Sequence, residues 1–475
     1  MANSEVVLSL KNATLSIQEK ELFSKLSLQV CSGEIVLICG RSGVGKSSLM
    51  NIINGVYPNE EVKVQCEALE VLGHSLMNMK HLARTTYVRS IFQNARLSFA
   101  MLTPYEEMIF VLENFRFPIE KMELKVKEQA EKFKIESLLH REFSSLSGGE
   151  LQKVAFECAN LVDAPLYIMD EPFANIDEES IPYFMEQIKL LSEEGKAICI
   201  IDHRLEYWDW INRWYLLDDS GALKEIKLPI AIEDKHLLEN NGLLCTLPLK
   251  EKSGPAKSKV LLKVENVSIR VEKNQVLLEN LNLELHEGEM IALVGPSGSG
   301  KTSFFKTLLK EYPYTGKIEI MGQSLSKMKT KVLFASLGLV FQDPSLQFVS
   351  AKVLEELKVT FHTERESNLE NLLRQYYLEK TKDLSPWLIS QGQQRRLAFL
   401  TMTGPNKVIL LVDEPTYGQD MKNAILIMNA LEQLCKEGMS CIFTCHDQRL
   451  VRQYAHKVIK IHSKTMEEVT NEPKN

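Results

Sequence analysis

The sequence predicts an α/β chain in which one domain is written twice. Two observations carry this. A set of short motifs recurs in the same order at nearly constant spacing, and in each copy apolar, strand-like runs alternate with helical stretches. GRSGVGKS (40–47) pairs with GPSGSGKT (295–302), and FQNARLSF (92–99) with FQDPSLQF (341–348). LSGGELQK (146–153) pairs with ISQGQQRR (389–396), YIMDEP (167–172) with LLVDEP (410–415), and IDHR (201–204) with TCHD (444–447). Lys46 and Lys301 lie 255 residues apart, Gln93 and Gln342 lie 249 apart, and Ser147, Asp170 and His203 each lie 243 from Ser390, Asp413 and His446. Five ordered features with two small length changes require duplication.

Taken in order, each half opens with strand-like alternation and reaches an apolar strand before its glycine-rich loop, EIVLICG (34–40) and EMIALVG (289–295). A helix should follow each loop. The charged stretches 105–160 and 353–402 read as a helical subdomain. PLYIMDE, KVILLVDE, AICIID (197–202) and SCIFTC (440–445) read as buried parallel strands. Residues 229–258 lack periodicity and end in KEKSGPAKSK (250–259), which predicts a linker between domains 1–228 and 259–475. The tail after His462 is polar and expected to fray.

A chain of 475 residues suits two to four domains. Its net charge of -7 gives no general nucleic-acid footprint. Nine scattered cysteines, without a CxxC pair, predict buried free thiols in a reducing compartment. MANSEVVLSL has no signal-peptide pattern, and the longest apolar runs are far short of a bilayer span. The chain is therefore expected not to cross a membrane by itself.

In GxxxxGK[ST], glycines let backbone N–H groups curl around phosphates and the following helix adds its positive end. This predicts ATP binding by Gly40, Gly43, Gly45, Lys46, Ser47 and Ser48, and by Gly295, Gly298, Gly300, Lys301, Thr302 and Ser303. The lysines would reach the β- and γ-phosphates, and Ser47 and Thr302 would offer hydroxyls to Mg²⁺. Asp170 and Asp413 end apolar strands, where a carboxylate can hold that metal through water. Glu171 and Glu414 follow, positioned to polarise the attacking water. Gln93 and Gln342 would complete the metal shell and sense the γ-phosphate. His203 and His446, each 33 residues past its aspartate, would contact the γ-phosphate.

These residues together resemble the ATP-binding cassette (ABC) family, with LSGGE its most specific motif. The resemblance covers nearly the whole chain outside linker and tail. It implies two P-loop NTPase domains, each with a RecA-like core, an antiparallel β subdomain and a helical subdomain. It also implies a head-to-tail pair in which each ATP lies between one half's phosphate loop and the other half's signature. Lys46 would then face Ser390, Gly392 and Gln393, and Lys301 would face Ser147, Gly148 and Gly149. Asp177 and Asp420 would be the D-loop aspartates. Ser147 with Glu150, and Ser390 with Gln393, fit a capping box. On that register Gln391, where the family has glycine, sits at the first helical position with its backbone N–H intact. The second signature therefore reads as altered but functional, with slower turnover or outright degeneracy as the alternatives. The adenine-stacking aromatic of many members aligns here with Ile17 and Val271.

SQGQQRRLA, with SPW (385–387) before it, resembles the tandem ATPases of energy-coupling factor transporters. That implies a motor at the cytoplasmic face of the membrane, with a transmembrane coupling subunit and a substrate-capturing membrane subunit as partners. It also implies uptake of a vitamin, a metal ion or a similar small solute, with thiamine or its pyrimidine precursor suggested by the signature's wording. Leu97, Phe99, Leu346 and Phe348, followed by Glu106–Glu107 and Glu355–Glu356, form either a groove for a partner helix or local core. The competing class is a soluble tandem cassette acting on ribosomes, whose long charged arm between cassettes the linker does not resemble.

Overall fold

The structure is a computed structural model that describes residues 5–17, 20–41, 43–60, 62–93, 95–173, 176, 180–244, 259–271, 275–296, 298–404, 407–417 and 419–469. The chain divides into two compact units, Met1–Cys245 and Thr246–Asn475.

Each unit contains the same main sheet. In the first, the strand order is Leu223–Lys227, Arg213–Leu217, Ile35–Cys39, Ala197–Ile201, Leu166–Asp170, Val88–Ile91. In the second it is Thr465–Val469, Lys457–His462, Met290–Val294, Ser440–Thr444, Ile409–Val412, Leu337–Val340. The neighbours are parallel except at the edge hairpin, which is antiparallel. Strands such as AICII and MIALV are buried along their whole length because both sheet faces are covered. A second, antiparallel sheet is built on the long hairpins Val6–Ile17/Lys20–Cys31 and Val260–Val271/Gln275–His286. Both hairpins break register at the same place, where Asn12 (φ 49°) and Asn266 (φ 50°) take the left-handed conformation that asparagine tolerates.

The helical subdomains are Pro104–Asn114, Ile119–Phe133 and Gly148–Asn160 in the first unit, and Val353–Thr360, Glu366–Gln375 and Gln391–Thr401 in the second. In the first unit this subdomain has its own core, including Met108, Leu112, Val126 and Val154. In the second, Leu357, Leu369 and Leu397 merge with the core under the main sheet.

Two expectations need correction. The segment read as the start of the linker forms a helix, Ile232–Asn240, whose Leu238 is buried with Trp214 and Ile226 in the first unit's core. One buried side chain in nine residues is too little for a periodic apolar signal. The tail after His462 is also not frayed throughout. Thr465–Val469 pairs antiparallel with Lys457–His462, and backbone hydrogen bonds hold a strand that its side chains do not announce. Among the described residues no helix is long and apolar enough to cross a membrane, and the described cysteines are free thiols.

Candidate active sites

Each phosphate loop connects a buried strand to a helix, Ile35–Cys39 to Lys46–Asn54 and Met290–Val294 to Lys301–Leu308. The helices are entered through Gly45 (φ 106°) and Gly300 (φ 104°). A side chain at either position would be strained, and a Cβ on Gly45 would come within 2.6 Å of Leu22. Gly43 and Gly298 also have positive φ. Gly40 and Gly295 lie against the next strand, where a Cβ would meet the carbonyls of Leu217 and Ile461 at 2.5 Å. The lysines reach back across the loop. Lys46 Nζ donates to the Gly40 and Arg41 carbonyls at 2.7 and 2.8 Å, and Lys301 Nζ to those of Gly295 and Pro296 at 2.7 and 3.0 Å. Ser47 and Thr302 are exposed at the helix start, with Ser48 and Ser303 half-buried beside them.

The aspartates stand next to those hydroxyls. Thr302 Oγ1 donates to Asp413 Oδ2 at 2.7 Å, and Thr444 Oγ1 donates to Asp413 Oδ1 at 2.7 Å. In the first unit Ser47 favours the ionised form of Asp170. Burial pushes the Asp170 carboxyl up to about 6 against the pull of Ser47, and raises Asp413 against the pull of Thr302 and Thr444. Hydroxyl, carboxylate and the nearby glutamine amide make an oxygen-only donor set, which suits a small hard cation.

Glu171 and Glu414 both adopt the left-handed conformation, at φ 45° and 47°. Their backbone N–H groups are anchored, Glu171 to the Ile201 carbonyl and Glu414 to Thr444 Oγ1, each at 2.7 Å. Each carboxylate is gripped by two side chains. Gln93 Nε2 donates to Glu171 Oε2 at 2.6 Å, and His203 Nδ1 lies 2.9 Å from Oε1. Gln342 Nε2 donates to Glu414 Oε2 at 3.2 Å, and His446 Nε2 lies 2.8 Å from Oε1. Burial alone would raise Glu171, but His203, then Lys46 and Arg204, outweigh it and hold the carboxyl low. His203 is raised in return, its burial outweighed by Glu171. Glu414 is likewise held low because His446, Lys301 and Arg395 overcome its burial. A carboxylate kept ionised beside the phosphate loop is equipped to orient a water molecule.

Both signature serines cap helices with complete capping boxes. Ser147 Oγ accepts from Glu150 N at 3.3 Å while Ser147 N donates to Glu150 Oε2 at 2.8 Å. Ser390 does the same with Gln393, at 3.4 and 3.0 Å. Gly148 and Gly149 open the first of these helices. Gln391 occupies the first helical position of the second. A Cβ on Gly392 would meet Gln419 Oε1 at 2.8 Å. Asp420 is buried and caps the next helix, accepting from Asn423 N at 2.9 Å. Asp177 lies outside the described residues, as does the side chain of Leu97. Phe99 stacks on Phe143 at 3.9 Å and Phe348 packs edge-on against Trp387, so both are local core, whereas Leu346 is exposed. Sequence reasoning missed Thr444 and Arg395. Arg395 donates to the carbonyls of Glu414 and Tyr417 at 2.8 and 2.7 Å, tying the signature helix to the acidic strand end. A threonine one position before TCHD's cysteine and an arginine inside a helix carry no local signal of these partners.

The family profile described as "ABC transporter" matches residues 23–174 and 278–417. "Putative HMP/thiamine import ATP-binding protein YkoD" of Bacillus subtilis is 35% identical, covering 94% of this chain and 87% of the relative. A "Putative ABC transporter ATP-binding protein" of Methanosarcina acetivorans is 28% identical over 94% of this chain and 87% of its own length. Among solved structures, the archaeal ribosome recycling factor aABCE1, crystallised with ribosomal stalk protein aP1, aligns with a TM-score of 0.57. It is 21% identical and covers 92% of this chain and 84% of that one, a likeness of fold. The chain thus belongs to the ABC transporter family, as an ATP-binding ATPase that carries the family's cassette twice.

Proposed function

We propose that this protein is the ATP-hydrolysing motor of an importer of the energy-coupling factor type, working at the cytoplasmic face of the membrane. A transmembrane coupling subunit and a substrate-capturing membrane subunit are its partners. The cargo is a vitamin of the thiamine class or its pyrimidine precursor, a reading supported by the similarity to the Bacillus subtilis protein. The observation that carries the motor reading is the paired Gln–Glu–His bonding, present in both units. Two intact sets favour two working sites, each completed in the family's head-to-tail manner by the other cassette's signature serine, Ser147 or Ser390.

In this mechanism the loop N–H groups with Lys46 and Lys301 bind the phosphates. Glu171 and Glu414 orient the attacking water, with Gln93, Gln342, His203 and His446 fixing each carboxylate and reporting on the γ-phosphate. Magnesium fits the oxygen donors of Ser47, Gln93 and Asp170, and of Thr302, Gln342 and Asp413, and when bound it neutralises charge on the β- and γ-phosphates. The partner assignment is tested by affinity purification from detergent-solubilised membranes alongside ribosome pelleting in ATP. Co-purifying integral membrane proteins are expected. Recovery on ribosomes with no membrane protein retained ends the importer reading.

A further inference from the structure

The two histidine segments are built differently. In the first unit Asp202 precedes His203. Its side chain is fully buried and accepts three N–H groups, from His203 N at 2.7 Å and Arg204 N at 3.0 Å on Oδ1, and from Trp208 Nε1 at 3.0 Å on Oδ2. Trp208 is also fully buried and stacks on Phe173, with ring centroids 4.6 Å apart and planes 14° from parallel. Phe173 follows Glu171 by two residues. A closed circuit therefore runs from the backbone of His203 through Asp202, Trp208 and Phe173 to the strand end that carries Glu171. The His203–Glu171 hydrogen bond spans it.

The second unit has Cys445 in place of Asp202 and Val451 at the position equivalent to Trp208. There the chain turns at once into the helix Gln448–Tyr454, and Asp447 caps it by accepting from Arg449 N at 2.8 Å. The Cys445 thiol instead makes weak sulfur hydrogen bonds, 3.7 Å to Thr416 Oγ1 and to the Asp447 carbonyl. The His203 side chain is 8% exposed and that of His446 32%, so the first histidine is boxed in and the second is open.

We infer that Asp202 and Trp208 are positioning residues for hydrolysis at the first unit's site, a brace that holds His203 against Glu171. This rests on the reading of Glu171 and His203 as the pair that acts at the γ-phosphate. A buried carboxylate with three donors has one comfortable geometry, because moving it strands an N–H in the interior. The backbone of His203 thus inherits a fixed position before nucleotide arrives, and the cost of orienting the imidazole is met by folding. Among the described residues neither brace side chain hydrogen-bonds the phosphate loop, so its effect falls on turnover rather than on ATP binding.

The test uses the full chain and measures steady-state ATP hydrolysis with thermal unfolding alongside. Trp208→Phe keeps a ring on Phe173 but removes the N–H. Asp202→Asn leaves an oxygen for the two backbone donors and sets an amide against the indole. In a Glu414→Gln background, each is expected to lower kcat about tenfold with KM for ATP within about twofold, and the double variant no further than either single one. An unchanged kcat, a loss carried by KM, a multiplicative double variant, or a loss that tracks the unfolded fraction would each overturn the brace. Should Glu414→Gln alone silence the chain, the same comparison is read in the otherwise unaltered protein. Trp208→Phe is the gentler change and keeps the test decisive if Asp202→Asn folds poorly. Failure of the underlying reading has its own signature, since Glu171→Gln would then leave turnover untouched whatever happens at Trp208.

Discussion

A glutamate with positive φ sits in a backbone region that costs of order 1–3 kcal/mol, yet both units keep one beside the phosphate loop. Glu171 and Glu414 stay there because their N–H groups and both carboxylate oxygens are held. Replacing both by glutamine leaves the amide shape but removes the charge that orients water. Turnover should nearly vanish while equilibrium ATP binding survives, and unchanged hydrolysis in the double variant would show that these are the wrong residues. Gln391→Gly is the opposite kind of change. Ser390 and Gln393 form the capping box without help from the Gln391 side chain, so hydrolysis should stay within a few-fold, and a rise of about a hundredfold would mean the natural site is impaired. At this scale the sequence was highly informative, because loop, acid, glutamine and histidine are each local words. Asp202, Thr444 and Arg395 were not legible, since their meaning lies in partners that only the fold supplies.

The two signature helices begin alike and then diverge. Position 395 carries an arginine that donates to the Glu414 and Tyr417 carbonyls, while the first unit has Gln152 there, buried without a side-chain partner among the described residues. Arg395→Gln should cost the second unit about 1–3 kcal/mol by stranding those carbonyls, read as a lower denaturant midpoint. An unmoved midpoint would show that the tether is idle. Further along, Glu157 is fully buried where the second unit has Leu400. Burial lifts its carboxyl to about 8, only partly offset by Gln129, which donates to it at 2.9 Å, and by Lys132 and Lys153. Between its ordinary value of 4.5 and about 8 the unfolded chain has released this proton and the folded chain has not. The unfolded state binds fewer protons, so this residue's contribution falls as pH rises through that window. Glu157→Gln should therefore be more stable than the parent at pH 8 and gain little at pH 5; equal gains at both would refute the assignment. Capping boxes made the starts of these helices readable. The helix Ile232–Asn240 was not, because it docks through two adjacent leucines, the buried Leu238 and the partly buried Leu237, which make no helical repeat.

At the scale of the domain, each unit taken by itself encloses apolar cores of its own. Residues 1–245 and 246–475, produced as separate chains, should each unfold cooperatively, and a half that stays molten by near-ultraviolet dichroism would contradict this. The duplication itself was plain in the sequence, and the main sheets of the two units have matching strand orders that only the structure supplies. How the helical subdomains share their cores was not, because merging or separating two apolar clusters depends on packing over long sequence distances. The stacking of Trp208 on Phe173 has a practical corollary at this scale. Of the chain's four indoles, Trp208, Trp210 and Trp214 belong to the first unit and only Trp387, already half exposed, to the second. Intrinsic emission is thus an optical label on one lobe. Its red shift on denaturation will chart the melting of the first cassette and remain nearly blind to its twin.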